Sequence, residues 1–153
     1  MSYCVPRDVV KAFYDAYAGR DIERCAAFLD DDVHWTISGP VDLLCFCGTR
    51  RGKAVVIDMM RRQVPQVFEI ASFVTDTMLV EGDRAATFNR LSARLGGDGR
   101  PISYRLAHFM RFRDGKVIEN LSLIDSLDAA EQVLGHPLTQ ECDRAENDNL
   151  IAV

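Results

Sequence analysis

The residues best suited to chemistry lie on a strand-like run in which one histidine interrupts an apolar face. The even positions of the run are Tyr104, Leu106, His108, Met110 and Phe112. Because side chains alternate between the two faces of a strand, His108 lies at the centre of a nearly apolar surface. An imidazole in such surroundings can give or take a proton near neutral pH, so His108 is the candidate acid/base of a small-molecule site.

The pair Asp114-Gly115 predicts a hairpin after this run, and its turn has two possible forms. A three-residue loop with the glycine in a bulge pairs Phe112 with Lys116. A two-residue turn pairs Arg113 with Lys116 instead. We favour the bulged form, because it keeps the isoleucines of the second strand on the apolar face and sends the following glutamate out among the arginines.

The bulged hairpin places Asn120 opposite His108 and Ser122 one inward position further along, whereas the two-residue turn brings Leu121 opposite the histidine. Counting back across the second hairpin, with turn sequence GGDGRP, places Asn89 beside His108 as well. An apolar wall with a few convergent polar groups is typical of a pocket that binds a small molecule.

The remaining elements must enclose this wall. The periodicity predicts a first helix from Pro6 to about Tyr17, which a left-handed Gly19 stops. It predicts a second helix from Asp21 to about Leu29. An acidic loop and a short strand (VHWTI) come next. A helix follows (KAVVIDMMRRQ, with Val55, Val56, Met59 and Met60 inward), then a meander of strands (66–81, 84–95, 104–124) and a last helix from about Ser126. Helices on one side of an antiparallel sheet make an α+β fold, here a cone-shaped curved sheet wrapped around helices with a cavity between them.

Residues on the inward faces of these elements are candidates to contact a ligand in that cavity. An unusually apolar loop (PVDLLCFCGTRRG) is expected to fold over it. The candidates are Tyr14, Tyr17, Trp35, Phe46, Met60, Asn89, Leu91, Tyr104, Leu106, Met110, Asn120 and Ser122.

Bulk composition limits the function classes. The chain of 153 residues is predicted to form one domain over residues 1–135 followed by a polar tail over 136–153. A net charge of -5 argues against nucleic acid or an anionic membrane as the main partner. No segment is typical of a membrane span or a signal peptide, so a cytoplasmic protein is expected. Five cysteines and three scattered histidines have no metal-site spacing, and we expect neither a metal nor a cofactor.

The outward face of the predicted sheet carries an apolar strip, here called the convex strip. It is edged by arginines, and a strip of that size rimmed by charge predicts a protein partner. Its members are Phe88, Ala107, Phe109, Leu121 and Leu123.

The element order and three local stretches resemble the nuclear transport factor 2-like superfamily, in particular its SnoaL-like and ketosteroid-isomerase-like members. The stretches are FYDAYAGRDIERCAAFLDDDVHW, FCGTRRGKAVV and AHFMRFRDGKVIEN. The resemblance implies a cystatin-like roll, a two-fold homodimer through the sheet, and a cofactor-independent isomerase or lyase among the possible activities. Since one fold hosts many functions, the resemblance is stronger evidence for the fold than for the activity.

Carried over by position, the resemblance does not supply a complete catalytic set. Ketosteroid isomerases use a tyrosine on the first helix, which matches Phe13 with Tyr14 one step away, and an aspartate base that falls near residues 37–38. Their protonated acid falls on His108, or on Ala107 if the hairpin is slipped. SnoaL-like cyclases match the histidine at His108, but their aspartate base falls on Ser122.

Two hypotheses follow. In the first, the protein is an isomerase, cyclase or dehydratase acting on an apolar cyclic or aromatic molecule, with His108 as acid/base and an acid such as Asp58, Glu69 or Asp76 reaching the cavity. In the second, it is a non-catalytic ligand-binding or dimeric assembly module whose cavity is filled by side chains. Packing of the cavity by residues such as Phe13 would favour the second.

Overall fold

The computed structural model describes residues 2–138 of the chain, so the predicted tail lies, apart from its first three residues, outside the described part. The helices are α1 (Arg7–Ala18), α2 (Ile22–Ala27), α3 (Lys53–Asp58), α4 (Val64–Val67) and α5 (Ser126–Leu134), with a π-helical turn, Met59–Gln63, between α3 and α4. The strands are β1 (Leu29–Ser38), β2 (Gly48–Arg51), β3 (Phe68–Glu81), β4 (Arg84–Leu95), β5 (Pro101–Arg113) and β6 (Lys116–Ile124).

The six strands form one curved sheet in the order β2-β1-β6-β5-β4-β3. Neighbouring strands are antiparallel except β1 and β6, which run parallel. Helix α1 packs its buried residues Val10, Phe13 and Tyr14 against the concave side, where the inward side chains of the strands form the core. The predicted α+β fold, a curved open sheet around helices, is confirmed.

Strand β1 begins earlier than predicted, because the three consecutive aspartates extend the strand instead of forming a loop. Ion pairs hold two of them: Asp30 lies 3.5 Å from Arg113, and Asp31 lies 3.0 Å from Lys53. These partners are distant in sequence, so local propensity does not reveal them. The predicted inward face of this strand is confirmed, with Trp35 fully buried at its centre.

The junction between α1 and α2 corrects a second prediction. Gly19 keeps a right-handed conformation (φ -76°), and Arg20 adopts the left-handed one (φ 55°). A tertiary contact accompanies this conformation, since the Arg20 guanidinium donates to the carbonyl oxygen of Met60 at 3.3 Å. Asp21 caps α2 as predicted, accepting a hydrogen bond from the backbone N–H of Arg24 at 3.1 Å.

The β5–β6 hairpin closes with a two-residue turn, so the favoured bulged turn is wrong. Arg113 pairs with Lys116, and both Asp114 (φ 50°) and Gly115 (φ 76°) take the left-handed conformation. Two successive positive φ values define the turn type that matches the right-handed twist of the flanking strands.

A bulge does occur in this hairpin, but between Arg111 and Phe112. The extra residue that it adds to β6 keeps Asn120 and Ser122 on the concave face, where both are buried. Ser122, rather than the predicted Asn120, lies opposite His108. The predicted inward face of β6 is therefore correct, but its pairing with β5 is shifted by two residues.

The β4–β5 register is displaced by the same amount. Asn89 pairs with Leu106, and the residue opposite His108 is Thr87. Because the displacement is an even number of residues, Asn89 is on the predicted face and completely buried. Thr87 is a polar inward residue that the sequence analysis did not select.

Helix α3 and the π-helical turn correct one further prediction. Val56, Met59 and Met60 are buried as predicted, whereas Val55 is 49% exposed. Val55 lies in α3 before the π-helical turn, roughly 100° around the helix from Val56, so it falls at the edge of the buried stripe and reaches solvent.

Candidate functional site

His108 lies on the concave face of β5 and touches α1 through its imidazole. Its Nδ1 atom is 2.9 Å from the hydroxyl oxygen of Tyr14, one turn of helix before Tyr17. The rings of Tyr14, Tyr17 and Phe73 surround the imidazole at centroid distances of 5.9, 5.8 and 5.8 Å. The histidine therefore stands in an aromatic enclosure and is 1% exposed.

A chain of buried hydrogen bonds continues from Tyr14 into the sheet. The Tyr14 hydroxyl is 2.6 Å from Thr87 Oγ1, and Asn89 Nδ2 donates to the same threonine oxygen at 2.9 Å. Thr75 donates its hydroxyl proton to Asn89 Oδ1 at 2.8 Å. Residues from α1, β3, β4 and β5 thus form one connected polar network behind His108.

Burial sets the charge state of this network. Removal of the imidazole from water lowers the pKa of His108 to about 4, so the ring is neutral at pH 7. Burial likewise raises the pKa of the Tyr14 hydroxyl far above its ordinary value and that of Tyr17 to about 12. All three groups are neutral at physiological pH, and Tyr14 and His108 contact each other as neutral hydrogen-bonding groups.

The space between the sheet and the helices in front of His108 is here called the hollow. Its volume is about 30 Å³, room for one or two water molecules, whereas pockets for drug-sized ligands occupy roughly 300–1,000 Å³. Apolar side chains fill most of the cone. The hollow is lined by Tyr17, Arg20, Ile37, Phe46, Met59, Met60, Val64, Phe68, Ile70, Leu91, Tyr104, Leu106, His108, Ser122 and Ile124.

The structure brings eight of the sequence-predicted site residues to the hollow and leaves the others behind its wall. The eight are Tyr17, Phe46, Met60, Leu91, Tyr104, Leu106, His108 and Ser122. Those that do not line it are Tyr14, Trp35, Asn89, Met110 and Asn120, all of them buried in the surrounding core. Tyr14 and Asn89 do not line the hollow, but each forms a hydrogen bond to a residue that does, Tyr14 to His108 and Asn89 to the backbone of Leu106.

The mouth of the hollow contains residues that the sequence analysis missed. Arg20, Val64, Phe68 and Ile70 line both the hollow and a surface groove of about 450 Å³ immediately outside it. Phe68 and Ile70 belong to β3, whose inward face could not be assigned because the turn at Gly82-Asp83 left its register open. No sequence pattern marked Arg20, which comes to the mouth through its left-handed backbone.

The apolar loop before β2 covers one side of the hollow, as predicted for the segment that contains Phe46. Arg50 holds this loop by donating to the carbonyl oxygens of Phe46 at 2.8 Å and Cys45 at 3.1 Å. The same guanidinium also donates to the Gln63 side chain. The loop is therefore tied to the π-helical turn that carries Met60, and the two segments form one wall of the hollow.

Three buried polar atoms in the described part of the chain have no hydrogen-bond partner: His108 Nε2, Asn120 Oδ1 and Trp35 Nε1. Of these residues, only His108 lines the hollow. Unpaired buried polar atoms are uncommon in folded proteins because they have lost their water without compensation. The unpaired Nε2 is therefore the feature of the hollow best suited to bind a polar atom of a ligand.

None of the acids proposed to complete a catalytic set reaches the hollow. Asp76 lies on the surface 2.8 Å from Arg90, and Asp58 lies 3.1 Å from Arg62. Glu69 is exposed and lines only the outer groove. Within residues 2–138, no three histidine, cysteine or acidic side chains are grouped as metal ligands.

The convex strip is exposed on the opposite side of the sheet. Phe88, Phe109, Leu121 and Leu123 are between 39% and 50% exposed, and Ala107 is half-buried. A groove of about 640 Å³ crosses this face beside Phe109 and Leu121. Three arginines at its edge are paired with acids: Arg90 with Asp76 at 2.8 Å, Arg105 with Asp125 at 3.0 Å and Arg111 with Asp83 at 2.8 Å.

Comparison with known proteins agrees with this architecture. Residues 10–120 match the SnoaL-like domain family. A proposed isomerase from Rhodopseudomonas palustris is 34% identical, with 83% of this chain and 93% of that protein covered and a TM-score of 0.72. No curated protein matches the chain significantly.

More distant structures share the fold. An NTF2-like protein from Burkholderia pseudomallei is 22% identical, with 86% of this chain and 96% of that protein covered and a TM-score of 0.72. The protein TerC, crystallised with polyporic acid, is 23% identical, with 83% and 96% covered and a TM-score of 0.73.

The chain belongs to the SnoaL-like domain family and has the nuclear transport factor 2-like fold. Among the described residues, no helix combines the length and the apolar character that crossing a bilayer requires.

Proposed function

We propose that the protein binds a small apolar molecule, cyclic or aromatic, in the hollow, and that His108 makes the polar contact to it. The observation that carries this proposal is the His108 Nε2 atom, which is buried, unpaired and part of an otherwise largely apolar lining. A ligand oxygen at this atom would supply the hydrogen bond that it lacks.

Binding requires the hollow to enlarge at its mobile side chains. Met59 and Met60 are unbranched and adapt their shape readily, and they lie beside Phe46 on the wall that includes the covering loop. Four residues, Arg20, Val64, Phe68 and Ile70, line both the hollow and the outer groove. Displacement of these side chains would join a volume of about 450 Å³ to the hollow.

Two relatives support a ligand of this kind. The relative from Rhodopseudomonas palustris is a proposed isomerase, and TerC was crystallised with polyporic acid. We propose that this chain binds the same broad class of ligand, a small cyclic or aromatic molecule. We also propose, as the hypothesis to be tested, that it converts this ligand as an isomerase, cyclase or dehydratase with His108 as the acid/base.

The test is a panel of apolar cyclic carbonyl compounds assayed by calorimetry for binding and by chromatography for conversion. His108→Ala is expected to weaken binding about fivefold, which is the loss of one hydrogen bond of about 1 kcal/mol. His34→Ala, at an exposed site on the same sheet, is the matched control and is expected to bind like the wild type. Conversion that His108→Ala abolishes supports the enzyme; binding without conversion rules it out for that panel.

A filled-cavity assembly module is the second candidate, and two observations favour it. The hollow is small, with Phe13, Trp35, Met60 and Leu106 buried around it, and the convex strip exposes a continuous apolar surface. We propose that this strip joins two copies of the chain around a two-fold axis, since a self-complementary apolar face can bury itself against its own copy.

Phe109→Glu is expected to convert a dimer into a monomer in sedimentation analysis, because it places two like charges in the centre of the proposed apolar contact. Val55→Glu changes a similarly exposed apolar residue on α3, which does not line the groove on this face, and is expected to leave the sedimentation unchanged. A wild-type protein that sediments as a monomer would exclude the dimer.

A further inference from the structure

The hydrogen-bond network behind His108 determines which imidazole nitrogen carries the proton. The side-chain amide of Asn89, at the end of the network far from His108, determines which group donates and which accepts in each hydrogen bond. Its nitrogen lies 3.4 Å from the backbone carbonyl oxygen of Leu106, which can only accept, so the amide nitrogen must be on that side. The same nitrogen therefore donates to Thr87 Oγ1 at 2.9 Å, and Thr75 donates to the amide oxygen.

The Thr87 hydroxyl accepts from Asn89 and donates to Tyr14. This hydroxyl has one proton to give, and among the described residues its two side-chain partners are the Asn89 nitrogen and the Tyr14 oxygen. The amide nitrogen cannot accept, so the Thr87 proton points to Tyr14 at 2.6 Å. Tyr14 then donates its own proton to His108 Nδ1 at 2.9 Å, since its other neighbour, the sulfur of Met110, is a weak acceptor at 4.0 Å.

An Nδ1 atom that accepts leaves the proton of the neutral ring on Nε2, the atom that has no partner in the described chain. His108 is therefore a hydrogen-bond donor toward the hollow. A ring with the opposite tautomer would leave either the Thr87 proton or the Tyr14 proton without a good acceptor in a buried site.

Ser122 supplies a second proton beside it. This residue pairs directly with His108 across β5 and β6, and both line the hollow. Its Oγ accepts a hydrogen bond from Asn120 Nδ2 at 2.9 Å. In this orientation the Asn120 side-chain oxygen, Oδ1, has no hydrogen-bond partner. The Ser122 hydroxyl proton has no acceptor among the described residues.

We propose that Tyr14 is a positioning residue that holds His108 as the Nε2–H tautomer, and that His108 Nε2–H and the Ser122 hydroxyl together bind one acceptor oxygen of the ligand. This inference rests on the proposed function and names the chemistry of the ligand: a carbonyl or another oxygen that carries negative charge. Two neutral donors stabilise such an oxygen without proton transfer. An ammonium ligand, which offers only donors, does not match a site with two donors.

The tautomer can be measured without any ligand. In ¹⁵N NMR of the imidazole side chains, a protonated and an unprotonated nitrogen resonate in well separated regions, and His108→Asn identifies the signals. We expect Nε2 in the protonated region at pH 7 and Nδ1 in the unprotonated region. Tyr14→Phe is expected to shift the Nδ1 signal toward that of a nitrogen without a hydrogen bond. A protonated Nδ1 in the wild type, or an Nδ1 signal unaffected by Tyr14→Phe, overturns the assignment.

The ligand class is tested with three probes of one shape: cyclohexanone, methylenecyclohexane and cyclohexylammonium. We expect cyclohexanone to bind about 25-fold more tightly than methylenecyclohexane, which is about fivefold for each of two hydrogen bonds. Ser122→Ala is expected to weaken cyclohexanone about fivefold and to leave methylenecyclohexane unchanged, and cyclohexylammonium is expected not to bind.

The outcomes separate this inference from the function on which it rests. Equal affinity for the ketone and the hydrocarbon would keep ligand binding and overturn the two-donor site. Tighter binding of cyclohexylammonium than of cyclohexanone would overturn it as well. Failure of all three probes to bind would instead overturn the proposed function for ligands of this size, and with it the role of the two donors, while the NMR result would still decide the tautomer.

Discussion

Acidification from pH 7 to about pH 4 is expected to lower the free energy of unfolding by about 3 kcal/mol through His108 alone. The pKa of this imidazole is about 4 in the folded protein and near 6.5 when exposed, a difference worth about 1.4 kcal/mol per pKa step. Because the unfolded chain binds the proton more readily, the stabilisation is complete above about pH 6.5. It is lost progressively as the pH falls toward 4.

Urea denaturation of the wild type and His108→Gln over this pH range measures the effect. The variant has no imidazole at this position, so the difference in unfolding free energy between the two proteins should change by about 3 kcal/mol from neutral pH to about pH 4. Surface carboxylates such as Asp76 and Asp83, whose pKa is held down by hydrogen-bonded arginines, titrate in both proteins and cancel.

His34→Gln removes an exposed histidine and is the control for a general effect of losing a histidine. We expect it to follow the wild-type pH profile. If His108→Gln also follows that profile, the imidazole is not buried as a neutral group, and the description of the site is wrong.

Met60→Ala is expected to lower the free energy of unfolding by about 2–5 kcal/mol and to increase the affinity for cyclohexanone. Met60 is 2% exposed and lines the hollow, so truncation removes packing contacts and adds volume next to His108. We expect roughly a tenfold gain in affinity, equivalent to about 1.4 kcal/mol, because the ligand no longer has to displace the methionine side chain. Denaturation and calorimetry on the same variant give the two quantities.

Met110→Ala is the matched control, since it removes the same side chain from an equally buried position that does not line the hollow. It is expected to lose stability to a similar extent without a gain in affinity. Equal affinities of the two variants would show that room beside Met60 does not limit binding, and they would favour the filled-cavity module.

The alternation of side chains along the strands could be predicted from the sequence. The inward faces that it predicts are correct even where the predicted strand pairing is wrong. The turn of the β5–β6 hairpin was predicted wrongly, and both registers at His108 were displaced. Each displacement was by two residues, however, so Asn89, Asn120 and Ser122 kept the inward face that alternation gives them. The α+β fold follows from the order of the predicted elements, and the family was identified through the resemblance of three local stretches to its members.

The contacts between elements could not be predicted in this way. The Tyr14 hydroxyl meets His108 across 94 residues of sequence, and Thr87 enters the network only because the observed register places it opposite that histidine. The small volume of the hollow depends on how Met60 and its neighbours pack, which composition does not specify.

The sequence by itself determined which face of β1, β4, β5 and β6 is buried, because the direction of a side chain depends only on its position along the strand. The buried face of β3 was left open until the structure gave its register. The sequence thus determined that a histidine, two asparagines and a serine lie on the concave side of a SnoaL-like sheet. Only the tertiary structure decided which of these groups touch and which atom is left unpaired. Hydrogen-bond direction depends on distances of about 3 Å between residues far apart in the chain, and these are fixed only when the helix packs on the sheet.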